Sequence, residues 1–72
     1  MRVNICGPKI KNLRKQFGMA QIDLAEALNV DHSLKFSQSD ISEMERGVRG
    51  IRDFELKAIA DIFDIHPGEL FE

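Results

Sequence analysis

The chain has no tryptophan or tyrosine, one cysteine and two prolines among its 72 residues. The single thiol, Cys6, excludes an internal disulfide and a cysteine-based zinc cluster, and it fits a reducing compartment. Near the start of the chain it reads as a spectator at a frayed terminus. No apolar run approaches the roughly 20 residues of a membrane span. The opening stretch up to Pro8 also lacks the shape of a signal peptide. The expected setting is the cytoplasm, with no membrane partner. His32 and His66 have no metal-pair spacing, and neither a nucleophile–base pattern nor a phosphate loop appears. These absences predict no enzyme, no metal and no cofactor. No sensor segment is expected after residue 72, and so no small-molecule ligand.

What is present suffices for one small core. Apolar residues make up 43% of the chain and include five phenylalanines, enough for a Leu/Ile/Phe interior in a single domain over residues 1–72. The net charge of −2 argues against a polyanionic partner until it is divided along the chain. Residues 1–52 carry nine Lys/Arg against six Asp/Glu, a balance of +3, whereas residues 53–72 carry one Lys against six acids, a balance of −5. That split suits a basic front and an acidic back.

The apolar spacing is helical throughout. Pro8 suits a first helical turn, Ile10, Leu13 and Phe17 recur along one face, and Gly18 is a left-handed stop, which predicts a helix over Pro8–Phe17. Leu24, Ala25 and Leu28 mark a second helix over Gln21–Leu28, with Asn29 as its stop. Residues 29–37 carry no clean period and read as an extended turn. Ser37 is the N-cap of a third helix, Gln38–Arg46, whose inward face is Ile41, Met44 and Glu45 and whose end is Gly47. Asp53 reads as the cap of a fourth helix with Leu56, Ile59, Ala60 and Phe63 on one face. His66-Pro67 opens a fifth, ending near Leu70. Apart from a short extended stub at Arg2–Ile5, no strand pattern appears, so the expected class is all-α, a compact five-helix fold.

The order of these pieces resembles the Cro and phage-repressor helix-turn-helix family of bacterial and phage regulators. The matching strings are Ile10-Lys-Asn-Leu13-Arg14, Gly18-Met-Ala-Gln21, Leu24-Ala25-Glu-Ala-Leu28, Ile41-Ser-Glu-Met-Glu45-Arg-Gly47 and Glu55-Leu-Lys-Ala-Ile59-Ala60. The resemblance implies a repressor-like DNA-binding domain with its helix-turn-helix over residues 21–46. Ala25 falls where helices 2 and 3 cross closely, so a small side chain is required there. Arg14 and Glu45 match positions that pair across helices 1 and 3, where a bidentate bond would fix the helix angle. Gln21 matches a residue that grips a DNA phosphate at the start of helix 2. Gln38, Ser39, Ser42 and Glu43 match the base-facing positions of the recognition helix. Gln can read adenine, and Glu can accept from cytosine N4. Arg46, Arg49 and Arg52 follow, where the family touches phosphates.

Three features depart from the pattern. About six extra residues, Asp31–Phe36, lengthen the turn between helices 2 and 3. Within them Leu34 and Phe36 are apolar enough to pack back, while His32 and Lys35 are candidates for touching DNA. The recognition helix is acidic, with Asp40, Glu43 and Glu45 against Arg46. Ala20 stands where a Thr or Ser cap is usual, which removes about 1 kcal/mol of capping.

The function these residues point to is sequence-specific binding of double-stranded DNA by a homodimer, as a transcriptional regulator of the repressor type. Dimerisation doubles the few contacts one such domain can make and matches operator symmetry. Ile62, Ile65 and Phe71, outside the core stripes, are the candidate dimer surface. The alternative is a protein-interaction module, antitoxin-like or adaptor, that keeps the fold without DNA. The acidic recognition helix and acidic tail favour that alternative.

Overall fold

A computed structural model describes residues 2–72. It contains α1 (Gly7–Gln16), α2 (Gln21–His32), α3 (Gln38–Arg46), α4 (Asp53–Ile62) and a closing 3₁₀ turn, Pro67–Phe71. Among the described residues no strand forms, so the all-α class holds. The expected fifth helix is corrected to the 3₁₀ turn. Its entry is tightened locally: Glu69 Oε2 accepts from the His66 N–H at 2.8 Å, and His66 Nδ1 accepts from the Gly68 N–H at 3.1 Å. Five residues suffice to drop Leu70 fully into the core, and an isolated turn of that length gains little from α-helical pairing.

The second correction concerns α2. It does not stop at Asn29 but runs to His32, where Ser33 turns left-handed at φ 55°. The expected turn over 29–37 therefore narrows to Ser33–Ser37. Asn29 faces the connector instead of ending the helix. Its Oδ1 accepts from the Phe36 N–H at 2.7 Å and its Nδ2 donates to the Phe36 carbonyl at 2.9 Å. The side-chain amide thus imitates a neighbouring backbone strand and satisfies both polar groups of a residue whose ring is buried.

Local chemistry fixes the remaining helix ends. In α3, Ser37 Oγ accepts from the Asp40 N–H at 3.1 Å while Asp40 Oδ2 accepts from the Ser37 N–H at 2.9 Å, a reciprocal capping box. The same helix ends at Gly47 (φ 77°), whose left-handed turn lets the Val48 N–H reach the Glu43 carbonyl at 3.0 Å. Ala20 offers α2 no side-chain cap, but Asp23 Oδ2 accepts from the Ala20 N–H at 2.7 Å and supplies half of the box. The cap of α4 is Arg52 and not Asp53. Glu55 Oε1 takes the Arg52 N–H at 2.9 Å, and Asp53 becomes the first helical residue.

The core joins Ile10 and Leu13 of α1, Leu24, Ala25 and Leu28 of α2, Ile41 and Met44 of α3, Ala58, Ile59 and Ala60 of α4, then Phe63 and Leu70. α3 packs on α1 and α2, and α4 packs on α2 and the 3₁₀ turn. Phe36 joins this core from the connector, so the insertion is held down rather than looped out. Cys6 also needs correction. It is buried at 2% exposure, and the segment from Arg2 onward is docked rather than frayed. The Val3 N–H bonds the Gly47 carbonyl at 2.7 Å and Arg2 Nη2 bonds the Glu45 carbonyl at 3.0 Å. Close approach is needed for that docking: a Cβ on Gly7 would fall 2.6 Å from the Glu45 carbonyl oxygen. Burial raises the Cys6 thiol above its ordinary pKa, so little thiolate forms. No described helix is long and apolar enough to cross a membrane.

Candidate nucleic-acid interface

Helical periodicity divides α3 into two faces. Ile41 and Met44 are fully enclosed and Glu45 is buried. What remains turned outward is Gln38, Ser39 and Arg46, exposed, with Ser42 and Glu43 half-buried beside them. Ser37 as N-cap places Gln38 and Ser39 at the leading end of the helix, where free N–H groups and the positive end of the dipole lie. Arg46 Nε donates to Ser42 Oγ at 3.3 Å, one turn back along the same face.

The acidity of α3 is largely answered locally. The Ser37 backbone N–H holds the Asp40 carboxyl below its ordinary pKa despite the opposing effect of burial, and the Ser37 hydroxyl and the Arg49 charge add to it. Glu45 lies inside, against Arg14. Glu43 is the acid left on the outward face.

Arg14 and Glu45 meet where α1, α2 and α3 converge. Arg14 Nε donates to Glu45 Oε2 at 2.6 Å and Nη2 donates to Oε1 at 3.2 Å, while Nη1 donates to the Met19 carbonyl at 2.7 Å. Gln21, at the first position of α2, donates from Nε2 to Glu45 Oε1 at 3.1 Å. One amide N–H of Gln21 is thereby engaged within the protein, and its second donor and carbonyl remain. The cluster ties the start of α2 to the last turn of α3, so the two helices keep one mutual angle.

The arginines after α3 differ in their surroundings. Arg46 and Arg52 are exposed. Arg49 is half-buried and forked on Glu55, Nη1 to Oε1 and Nη2 to Oε2, both at 3.2 Å. Burial alone would raise the Glu55 pKa, but the Arg49 hydrogen bond, the Arg52 N–H and both arginine charges outweigh it and lower it. His32 faces Asp61 of α4, Nε2 to Oδ2 at 3.8 Å, which directs it toward the α4 side of the molecule. Lys35 is exposed at the connector. Ile62 and Ile65 pack against the core, so of the three expected dimer-surface residues Phe71 alone is well exposed, at 54%.

The structure adds residues that the sequence did not single out. Asn4 Nδ2 donates to the Met44 and Arg49 carbonyls at 3.0 and 2.7 Å, and its Oδ1 takes the Gly7 N–H at 2.8 Å. With Arg2 it takes the Met44 and Glu45 carbonyls near the end of α3. The Asn4–Gly7 spacing, an Asx side chain three residues before an N–H at a helix start, was a readable cue. The Asn29–Phe36 and Arg49–Glu55 partnerships follow no local spacing rule.

A family model described as Helix-turn-helix matches residues 10–70. A solved structure titled as the master regulator for biofilm formation SinR in complex with DNA shares the fold. Its TM-score is 0.78 at 24% identity, covering 93% of this chain and 98% of that one. No curated protein matches the chain.

Proposed function

The chain belongs to the Cro and phage-repressor type of helix-turn-helix family, and from that membership we propose that it is a double-stranded-DNA-binding transcriptional regulator, a repressor acting as a homodimer. The observation that carries the reading is the outward face of α3, presented at a fixed angle to α2 by the buried Arg14–Glu45–Gln21 cluster. Gln38, Ser39, Ser42 and Glu43 face base edges in the major groove, and α2 crosses the backbone with the remaining Gln21 donor toward a phosphate. Arg46 and Arg52 supply phosphate contacts, and Lys35 extends them from the connector. The domain spans residues 1–72, with the helix-turn-helix over 21–46. The DNA in the SinR structure, on a shared fold, supports DNA binding as the reading.

Selection of bound sequences from random duplex DNA tests the reading and reports half-site spacing. Two inverted half-sites about 10 base pairs apart, centre to centre, are the expected result for a symmetric dimer. Gln38→Ala should then cost about 1–3 kcal/mol on the selected site and leave a scrambled duplex nearly unaffected. Absence of binding to every duplex would overturn the reading in favour of a protein partner. Equal losses on both duplexes would remove Gln38 from the base-reading set.

A further inference from the structure

Arg49 stands where three distant segments meet. Its guanidinium forks onto Glu55 at the start of α4 and also donates from Nη1 to the Gly50 carbonyl at 3.1 Å. Its Cζ lies 5.3 Å from the centroid of the Phe36 ring in the connector. Its own carbonyl accepts from Asn4 of the N-terminal segment at 2.7 Å. Phe36 immediately precedes the Ser37 cap, and Arg49 follows the end of α3 by three residues. The chain therefore leaves Phe36, runs out along α3, and returns to rest on Phe36. Both ends of α3 are fastened to one another through a cation–π contact, and Asn29 in turn fastens Phe36 to α2.

Glu55 explains why this guanidinium stays in place. The Glu55 side chain is 7% exposed and bidentate with Arg49. Moving Arg49 out to a phosphate would strand a buried carboxylate, and removing one partner of a buried pair is strongly unfavourable. A neutral internal pair also releases few counterions when DNA approaches.

We infer that Arg49 is a positioning residue, which sets the axis of α3 across the lengthened connector, and is not a phosphate anchor. The inference rests on the DNA-binding reading above. It assigns the insertion a role: Phe36 and Arg49 together replace the short turn that would otherwise fix the angle of α3.

The test compares wild type with the charge-conserving double variant Arg49→Met/Glu55→Gln, and separately with Phe36→Leu, whose site is interior. Binding to the selected and to a scrambled duplex is measured across a salt series, with circular dichroism confirming that each variant is folded. The expected result is an unchanged log–log salt slope for both variants. The ratio of selected to scrambled affinity should shrink roughly tenfold, the scale of one lost base-edge contact. Arg52→Ala is the control and should lower the slope by about one unit. A slope that falls by about one unit in the double variant, with equal losses on both duplexes, would overturn the positioning role and leave the DNA-binding reading intact. A folded Phe36→Leu protein with an undiminished ratio would do the same. Wild type that binds no duplex would overturn both.

Discussion

Arg14 commits all three guanidinium nitrogens, two to Glu45 and one to the Met19 carbonyl. Both partners are buried, so truncating one leaves the other desolvated and unpaired. Glu45→Ala should lower stability by about 3–5 kcal/mol, read as the shift of a denaturant midpoint, and an unshifted midpoint would show that the pair does not hold α1 to α3. The carboxylates of Glu55 and Asp40 make a second prediction through their lowered pKa values. At Glu55, burial is outweighed by Arg49 and the Arg52 N–H, and at Asp40 the Ser37 N–H is the leading cause. Each is more acidic folded than unfolded, so each contributes stability that is complete at neutral pH. That contribution fades as the pH falls through the range near 4 where unfolded carboxylates titrate, and is gone below the folded pKa. Glu55→Gln combined with Asp40→Asn should lower neutral-pH stability and flatten the acid limb of the stability profile. An acid limb as steep as that of wild type would assign acid unfolding to other groups. The Arg14–Glu45 pair could be read from the sequence because both residues fall in recognisable strings. Arg49–Glu55 could not, since a loop residue and a residue in the first turn of a helix six positions on have no fixed geometry.

The connector between α2 and α3 is the element in which sequence and structure differ most. Helical spacing located all four α-helices, because each buries a face at the 3.6-residue period. It ends α2 too early, because past Leu28 the extra turn carries Val30 at 80% exposure and leaves no apolar stripe to read. What stabilises that turn is not burial of its own face but the Asn29 clamp on Phe36, a contact across seven residues that periodicity does not encode. Asn29→Ala should therefore cost about 1–3 kcal/mol, the penalty of two half-buried backbone groups left unpaired. Amide exchange at Phe36 should rise in step. Denaturation that matches wild type, with Phe36 still protected, would mean that the connector holds its shape without the clamp. The closing 3₁₀ turn reads as a helix in the sequence for a related reason. Proline, a capping histidine and a leucine anchor predict a turn's position well, but five residues do not reveal its pitch.

At the scale of the whole molecule the charge division of the chain follows its elements, with Glu55, paired with Arg49 of the loop, as the exception. Residues 1–52, with their excess of +3, build α1, α2, α3 and the arginine-bearing loop, while residues 53–72, at −5, build α4 and the 3₁₀ turn. α3 packs on α1 and α2, whereas α4 packs on α2 and the turn, and the turn also on α1, so the acidic elements pack on α1 and α2 rather than on α3. The orientation proposed for α3 puts Asp64 and Glu72 farther from a bound duplex than the Debye length of about 10 Å at 0.1 M salt, within a molecule of 31 by 24 by 23 Å. Their repulsion should therefore act only when screening is weak. Asp64→Asn combined with Glu72→Gln removes two exposed charges, and asparagine suits the left-handed backbone of position 64, at φ 55°. At about 0.01 M salt, where the Debye length is about 30 Å, the variant should bind selected and scrambled duplexes more tightly and by the same factor. At about 0.15 M the gain should vanish, because interaction over such a distance is then screened. A gain confined to the selected duplex, or one that persists at the higher salt, would place the acidic end in contact with DNA and contradict the orientation proposed for α3.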